Sequence, residues 1–501
     1  MAGPLLVKVD WNRDGDFSDP FEDVSLDQRG TIIASFGRDG ATALSQVAAG
    51  RGSLTLDNTT RRYSNRNASS PLFGKVKPAR PVVITRDVTV GATTTTYTIM
   101  RAHTDDQPLN PDVEAATVGL SLVDSLQDLR GITISTPLHT GIRSGAAVGA
   151  ILDAAGWTGG RDIDAGASVF PWWWEDGADA MDALQKVLAS EGTPALLTVG
   201  SAGEIVFRDR HHRITRTASK TPQATMRGTE GAPEPVMGRG FAYNDGWANI
   251  VNSPTVAVGE RRPKNFDVVW QSDEVFAIGA SASYVVVVQA TDPFQGASTP
   301  VSGVDFNVGA GSITGVTLSR TSGQSTSITF TAGAGGATVG SLQLRANAVP
   351  VVRTYQISAS AASKTTANTA QSILDYGQRG IPSGLEPVWA SRYDAQALCD
   401  LYVLQRAQPL TVLTVRFIAS DLQQFRLSMV LGLDLSDRVT VIERESQVSG
   451  DFYVESIAHT IDGHVSHEVV LGLEAVPAFP SSTAVFILGT STLNGTDPLG
   501  Y

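Results

Sequence analysis

Among its 501 residues the chain has a single cysteine, Cys399, which rules out an internal disulfide framework. Lysine is almost as scarce, with seven lysines against thirty-one arginines, a bias with no folding cause that fits a GC-rich genome. Charged residues make up only 18% of the chain, and the net charge is −12. No basic block exceeds a few residues, so the clustered Lys/Arg that phosphate contacts need is missing and no sequence-specific nucleic-acid binding is expected. No run approaches the roughly 18 apolar residues of a membrane helix. No charged segment followed by an apolar stretch opens the chain, so no export leader is expected. There is no Gly-x-Ser-x-Gly elbow, no His-Glu-x-x-His and no Walker loop, and no catalytic set is found. A non-enzymatic protein made in a cytoplasm is expected.

What is present starts at the N-terminus. The alternating stretch from Val7 runs into Asp10-x-Asn12-x-Asp14-Gly15-Asp16. Oxygen-bearing residues sit at every second position around a glycine that permits a sharp turn, the spacing of a calcium loop. Asp10, Asn12 and Asp14 would give side-chain oxygens and Asp16 a backbone carbonyl. The twelfth position, where an EF-hand has its bidentate acid, is Phe21; Glu22, one residue later, is the substitute, and Ser18 or Asp19 could add a ligand. The competing reading is an acidic, solvated hairpin capped by Asx-turns. Both readings stay open on the sequence.

The chain is too long for one hydrophobic core, and three or four domains are expected. Residues 1–130 alternate as strands do, with Leu54/Leu56, Val82/Ile84 and Tyr97/Ile99 separated by Gly, Asn and Pro turns. Residues 131–215 are mixed α/β. Ser144 can cap one helix, closed by Gly156, a second is capped by Asp176 and shows Met181, Leu184 and Leu188, and a hairpin covers 195–207. Residues 216–275 return to strand. From 276 to 354 the composition shifts to Ser, Thr, Gly, Ala and Val, which reads as a β-sandwich inserted into a second β-domain, with Ala332–Gly336 as a loop. Residues 355–410 carry helices at 366–377 and 392–408. Strands resume over 411–475, including Leu431–Leu435, with Asp462-Gly463 as a hairpin turn, and 476–501 is a poorly patterned arm.

Three further clusters read as structural. His211-His212 beside Asp209 lie on a strand end, where neighbours point to opposite faces. His459, His464 and His467 flank a hairpin turn and are expected to be solvated, although a cross-strand partner for His459 is plausible. Pro171-Trp172-Trp173-Trp174-Glu175-Asp176 could be a sugar platform or a glycosidase acid pair, but adjacent acids diverge, and packing between helix and hairpin is favoured.

The opening segment, Gly52–Asn58 with Arg62-Tyr63-Ser64, Arg80-Pro81-Val82, Asp124–Leu129, Leu433–Val439, Asp451–Glu455 with Ile457 and His459, and Phe486–Gly489 together resemble minor tail proteins of long-tailed phages of high-GC bacteria. That resemblance covers most of the chain except 276–354. It implies a mainly β fold with α/β modules: two hub-type β-barrel domains, a small α/β domain and the inserted sandwich. It further implies a structural virion protein, the hub of a tail tip or baseplate, assembled in the host cytoplasm as a homotrimer. The hub would join the distal tail protein or tail tube protein to other tail-tip proteins, around a channel for the tape measure protein and DNA. A receptor- or carbohydrate-binding tail protein is the alternative. The chain shows no long C-terminal extension of the kind that carries lysins or adhesins in many hubs, so neither activity is expected.

Overall fold

The computed structural model describes residues 5–38, 41–45, 47–105, 110–112, 114–228, 240–419, 424–463 and 466–477. The chain is mainly β, and its largest sheet has 13 strands. In the first lobe the hydrogen-bonded order is Leu5–Val9, Pro81–Val90, Thr93–Thr104, Thr117–Val123, Val47–Asp57 and Gln28–Arg38. These segments are rich in β-branched residues, and their alternation sends every second side chain inward. Val7 and Val9 at one end of this path, and Ile32 and Ala34 at the other, bury into the same core with Trp11, Leu54, Leu56, Tyr63 and Ile84. A sheet whose two ends share one core must curl. The free side of Leu5–Val9 is covered by residues 22–25, through Val9 N donating to the Glu22 carbonyl (2.8 Å) and Val24 N to the Val7 carbonyl (2.9 Å).

The path continues without a break into a second lobe. Gln28–Arg38 pairs antiparallel with Ser449–Asp462, from Thr31 opposite Asp462 to Gly37 opposite Ser456. Ser466–Ala475, Val412–Ala419 and Ala242–Asn244 follow. On the other side Arg438–Ile442 joins Ser449–Asp462, and Ala224–Arg227 joins it in parallel. Met226, Val415, Val441, Val454 and Leu471 fill this core, which the helix Gln424–Leu431 caps through Val430. Gly37 is required where the lobes meet: its φ is +108°, and a Cβ there would lie 2.5 Å from the Glu455 carbonyl oxygen.

The α/β module packs helices Ser144–Ala154 and Ala180–Glu191 on a small sheet, Arg161–Ile163, Ile205–Arg208 and Leu196–Val199. Ile151, Leu152, Phe170, Trp173, Leu184 and Phe207 form its core. The second helix is capped by Asp179, whose carboxylate accepts from Met181 N and Asp182 N, and not by Asp176, which lies in the short strand Asp176–Asp179. The extra strand moves the helix start by three residues, and the first helix has no side-chain cap, because Ser144 is its first residue and Arg143 stands at the cap position.

Thr255–Arg261 and Val351–Ser358 pair as a stalk. Beyond it stand two sheets, Asp267–Ser272/Leu342–Ala348/Phe294–Gln295 and Phe276–Ile278/Ser325–Gly340/Ser283–Gln289 with Asn307–Arg320. Phe294, Phe306, Ile328, Phe330 and Leu344 lie between them. This inserted unit begins before residue 276, because Asp267–Ser272 belongs to it. Ala332–Gly336 is not a loop but the middle of the strand Ser325–Gly340. A Cβ on Gly311 would stand 1.9 Å from the Gly336 carbonyl oxygen, so glycine here permits close strand approach and not a turn. Leu431–Leu435 is also not a strand: Leu431 ends a helix, and residues 432–435 are irregular and lead into a turn closed by Asp437 N donating to the Asp434 carbonyl.

Helices Ala367–Tyr376 and Arg392–Arg406 lie between the insertion and the second lobe, each started by a hydroxyl cap, Thr366 and Ser391. Ala395, Leu398, Cys399, Tyr402 and Val403 form the buried face of the longer one. Among the described residues no helix is long and apolar enough to cross a membrane. The arm from residue 478, with Phe486–Gly489, and His464 lie outside the described residues.

Candidate functional site

The N-terminal loop leaves the end of Leu5–Val9 and returns alongside it. Asp10 is fully buried. Its Oδ1 accepts from Arg13 N (2.5 Å) and Asp14 N (3.3 Å), and its Oδ2 from Gly15 N (3.0 Å). Asp14 Oδ1 accepts from Asp16 N (3.2 Å), and Asp16 Oδ1 from Ser18 N (2.8 Å), so consecutive Asx-turns shape the loop. The Asn12 amide donates to both Asp14 Oδ2 (2.8 Å) and Asp19 Oδ2 (2.6 Å). Glu22 is 1% exposed, and its Oε2 accepts from Asp19 N (3.1 Å). Burial, and then the like charges of Asp10, Asp19 and Asp14, push its carboxyl above the ordinary range. Trp11 anchors the loop in the core, with its Nε1 donating to the Phe21 carbonyl (3.1 Å). All five sequence-selected residues therefore lie in one loop. Among the described residues, however, no three acidic, His or Cys side chains already surround a single point. A cavity of about 310 Å³ opens beside the loop, bounded by Asp10, Arg13 and Gly15 on one side and His103, Asp128 and Gly203 on the other.

A second charged cluster was not legible in the sequence. Where the lobes, the α/β module and the helix Arg392–Arg406 converge, Glu455 and Glu474 are about 1% exposed on their side chains. Arg38 Nε lies 3.2 Å from Glu455 Oε2, and Arg213 Nη2 donates to Glu455 Oε1 (2.5 Å). Arg38 also reaches the Pro194 and Ala195 carbonyls. Arg406 grips Glu474 with two 2.8 Å bonds, while Thr42 Oγ1 (2.7 Å) and Ala43 N (3.2 Å) donate to the same carboxylate. Burial alone would raise the Glu474 carboxyl; the Arg406 charge and its hydrogen bonds outweigh that and hold it well below the usual carboxylate range. The only signal was an acid within an apolar strand, Val454-Glu455 and Leu473-Glu474, which alternation alone reads as a surface position.

The tryptophan run is packed. Trp173 is buried against His139, with ring centroids 5.5 Å apart. Trp174 meets Trp389 edge-on at 5.3 Å, lies under the Arg261 guanidinium, and donates from Nε1 to Gln324 of the insertion (3.0 Å). The Glu175 carboxylate is buried 3.7 Å from Lys186 Nζ, while its backbone N donates to Thr136 Oγ1 (2.8 Å); Asp176 accepts from Gln289 Nε2 (2.5 Å) and Ser325 Oγ (3.1 Å) of the insertion. The two acids diverge, and Trp174 with Asp176 docks the inserted unit on the α/β module.

The histidines depart from expectation. His212 opens a short helix, His212–Thr215, and is buried, because Asp209 stops the preceding strand. His459 does find the cross-strand partner that was plausible, His467, with its Nδ1 3.1 Å from His467 Nε2, but both rings are buried rather than solvated. They lie some way along the hairpin from its turn, where the second core closes over them. Burial pushes the Cys399 thiol up to about 11, so it is unreactive.

No protein-family profile matches the chain, and no curated protein matches it. Several solved structures are similar to it over most of its length. A 43 kDa tail protein of prophage MuSo2 from Shewanella oneidensis is 10% identical over 94% of this chain and 98% of that one, with a TM-score of 0.45. A tail protein from Neisseria meningitidis MC58 is 10% identical over 95% and 97%, with a TM-score of 0.47. The E. coli c3393 protein, a type VI secretion component described as similar to phage T4 tail proteins gp27 and gp5, is 8% identical over 95% and 77%, with a TM-score of 0.38. At these identities and scores no residue role is transferred from them.

Proposed function

We propose that the chain is a structural subunit of a long-tailed phage, the hub at the tail tip or baseplate. The observation that carries this reading is the fusion of two curled lobes through Gln28–Arg38 and Ser449–Asp462. The buried Glu455 and Glu474 clusters fix the two lobes to each other and to the helical parts. A chain with two barrel-like surfaces in fixed relation suits a ring of three copies, which presents six such surfaces and so meets a sixfold tube. In this role the partners are two further copies of the chain, the distal tail protein or tail tube protein, the tape measure protein and other tip proteins. The net charge of −12 suits a channel through which DNA slides without sticking. The resemblance of the sequence to minor tail proteins supports the same role, with the protein placed at the virion tail tip.

Negative-stain imaging of the purified chain, and of particles carrying a labelled copy, tests it. A threefold ring at the end of the tube is the expected result. A chain that stays monomeric and decorates the tail as a lateral fibre overturns it. Attachment to a receptor or glycan is the second reading. Trp173 and Trp174 are used in packing, so this reading rests on the uncharged edge strand Ser283–Gln289, where Tyr284, Val285 and Val287 are exposed. Removing residues 263–349 separates the two roles. Arg262 N donates to the Pro350 carbonyl (3.2 Å), so the cut ends are neighbours. A hub without the insertion still closes its ring, whereas loss of adsorption with rings intact assigns attachment to the insertion.

A further inference from the structure

We propose that the loop from Asp10 to Glu22 is a calcium site, with side-chain oxygens from Asp10, Asn12, Asp14 and Glu22 and the main-chain carbonyl of Asp16. The site does not depend on the hub role.

The observation that points to a ligand is Glu22. It is 1% exposed, and its Oε1 is buried with no hydrogen-bond partner. Buried carboxylate oxygens are normally met by donors, and an orphan calls for a missing one. The charges that bear on Glu22 are those of Asp10, Asp19 and Asp14, all of its own sign. A cation among them balances four acids at once.

Asn12, which like Glu22 is hydrogen-bonded to Asp19, gives the same answer. Its Nδ2 bridges Asp14 and Asp19 at 2.8 and 2.6 Å, while its Oδ1 is buried without a partner. A neutral amide is thus doing a cation's work between two carboxylates. A half-turn of that amide exchanges its two ends. It then presents an oxygen about 3 Å from each carboxylate, the neighbour spacing in a shell whose metal–oxygen bonds are about 2.3–2.6 Å. The cation-free loop is therefore the amide-bridged state. Binding consists of the amide turning and Glu22 Oε1 swinging onto the ion.

Asp10 holds the frame. It accepts from the amides of Arg13, Asp14 and Gly15 and still keeps acceptor directions on its oxygens. The shift of the last acid from Phe21 to Glu22 has a backbone counterpart: Phe21 has φ +74°, which turns the next residue back toward the loop. All donors are oxygens, so the site is hard and does not suit zinc. A flexible shell that includes a main-chain carbonyl and a long carboxylate favours calcium over the stricter octahedron of magnesium.

Terbium is the probe, because Trp11 is covalently next to Asp10 and sensitises its luminescence. The full-length chain should give a saturable tryptophan-excited signal that excess calcium removes and an equal concentration of magnesium leaves. Glu22→Gln and Asp14→Asn should each weaken terbium binding at least about tenfold with unchanged circular dichroism. Melting temperature gives a second readout. Calcium should raise it over chelator in the native chain but not in Glu22→Gln, and in chelator Glu22→Gln should melt at or above the native temperature, since it removes an unmet charge. Absence of the terbium signal, or a signal that both variants keep at native affinity, overturns the site. So does a loss of stability in Glu22→Gln that is the same in calcium and in chelator.

Discussion

Buried carboxylates are treated in opposite ways at two places in this molecule. At the junction of the lobes, Glu455 is met by Arg38 and Arg213, and Glu474 by Arg406, Thr42 and Ala43. In the N-terminal loop Glu22 is as well buried, but it is met by one backbone amide and by other acids. Where the chain supplies the positive charge itself, the carboxylate ties distant segments together. Where the chain withholds it, a cation from solution is proposed to take its place. The junction should therefore respond to mutation whatever ions are present, whereas loop variants should lose stability relative to the native chain only when calcium is present.

The largest expected effect tests the junction. Glu474→Gln leaves the Arg406 guanidinium, 2% exposed, without its counter-charge. Breaking one side of such a pair costs about 3–5 kcal/mol, whereas replacing both sides with apolar groups of similar size is often close to neutral. Urea unfolding should show the single variant destabilised by that amount, with Arg406→Met/Glu474→Leu recovering most of it. If the double variant is as unstable as the single one, the carboxylate acts mainly by holding Thr42 and Ala43, and the contrast with the loop is one of hydrogen bonding and not of charge.

Acid provides a test of intermediate size, because a buried group without counter-charge also exists on the basic side. Burial lowers His459 to about 4 and, with the His459 and Arg86 charges added, His467 to about 2. In the unfolded chain both titrate near 6.5. The stability held in the neutral pair is thus complete above about 6.5 and is lost as pH falls from there through about 4, amounting to a few kcal/mol. Asp124 and Asp437, raised by burial to about 6, take up protons in the folded state in that same window and oppose the loss. The native curve is therefore a difference of terms. Subtracting the curve of His459→Leu/His467→Leu isolates the histidines, and the native chain should lose stability faster on acidification. Parallel curves would mean that the pair is protonated or opens in the native state.

The same contrast explains what the sequence could and could not reveal. The strands around Leu54/Leu56 and Val82/Ile84, the helix carrying Met181, Leu184 and Leu188, and the acidic loop were legible because their signals are local: alternation, apolar residues at helical spacing, oxygens around a glycine. The junction was not legible, because its contacts join residues as far apart as Thr42 and Glu474, 432 positions away. Long-range pairing leaves no mark in a short window, and alternation reads a charge within an apolar strand as a surface position. Leu431–Leu435 failed for a related reason, since a short apolar run fits a buried helix end as well as a strand. Ala332–Gly336 failed because glycine marks close backbone approach as well as turns.

The smallest expected effect comes from simple salt in the presence of chelator. Raising ionic strength from about 0.1 M to about 1 M shortens the screening length from about 10 Å to about 3 Å. Asp14 and Asp16 are exposed, and the loop holds no basic side chain hydrogen-bonded to their carboxylates, so screening should relieve their repulsion and raise the melting temperature by no more than about 1 °C. The junction charges are out of reach of such screening. Asp14→Asn should therefore remove the salt response, and Glu474→Gln should keep it on a lower baseline. Surface pairs such as Arg62–Asp27 at 2.8 Å act in the opposite direction, because screening weakens their attraction. If salt instead lowers the melting temperature of the native chain and of Asp14→Asn alike, those pairs dominate and the loop carries no net repulsion. The demand for a cation would then come from Glu22 Oε1 alone.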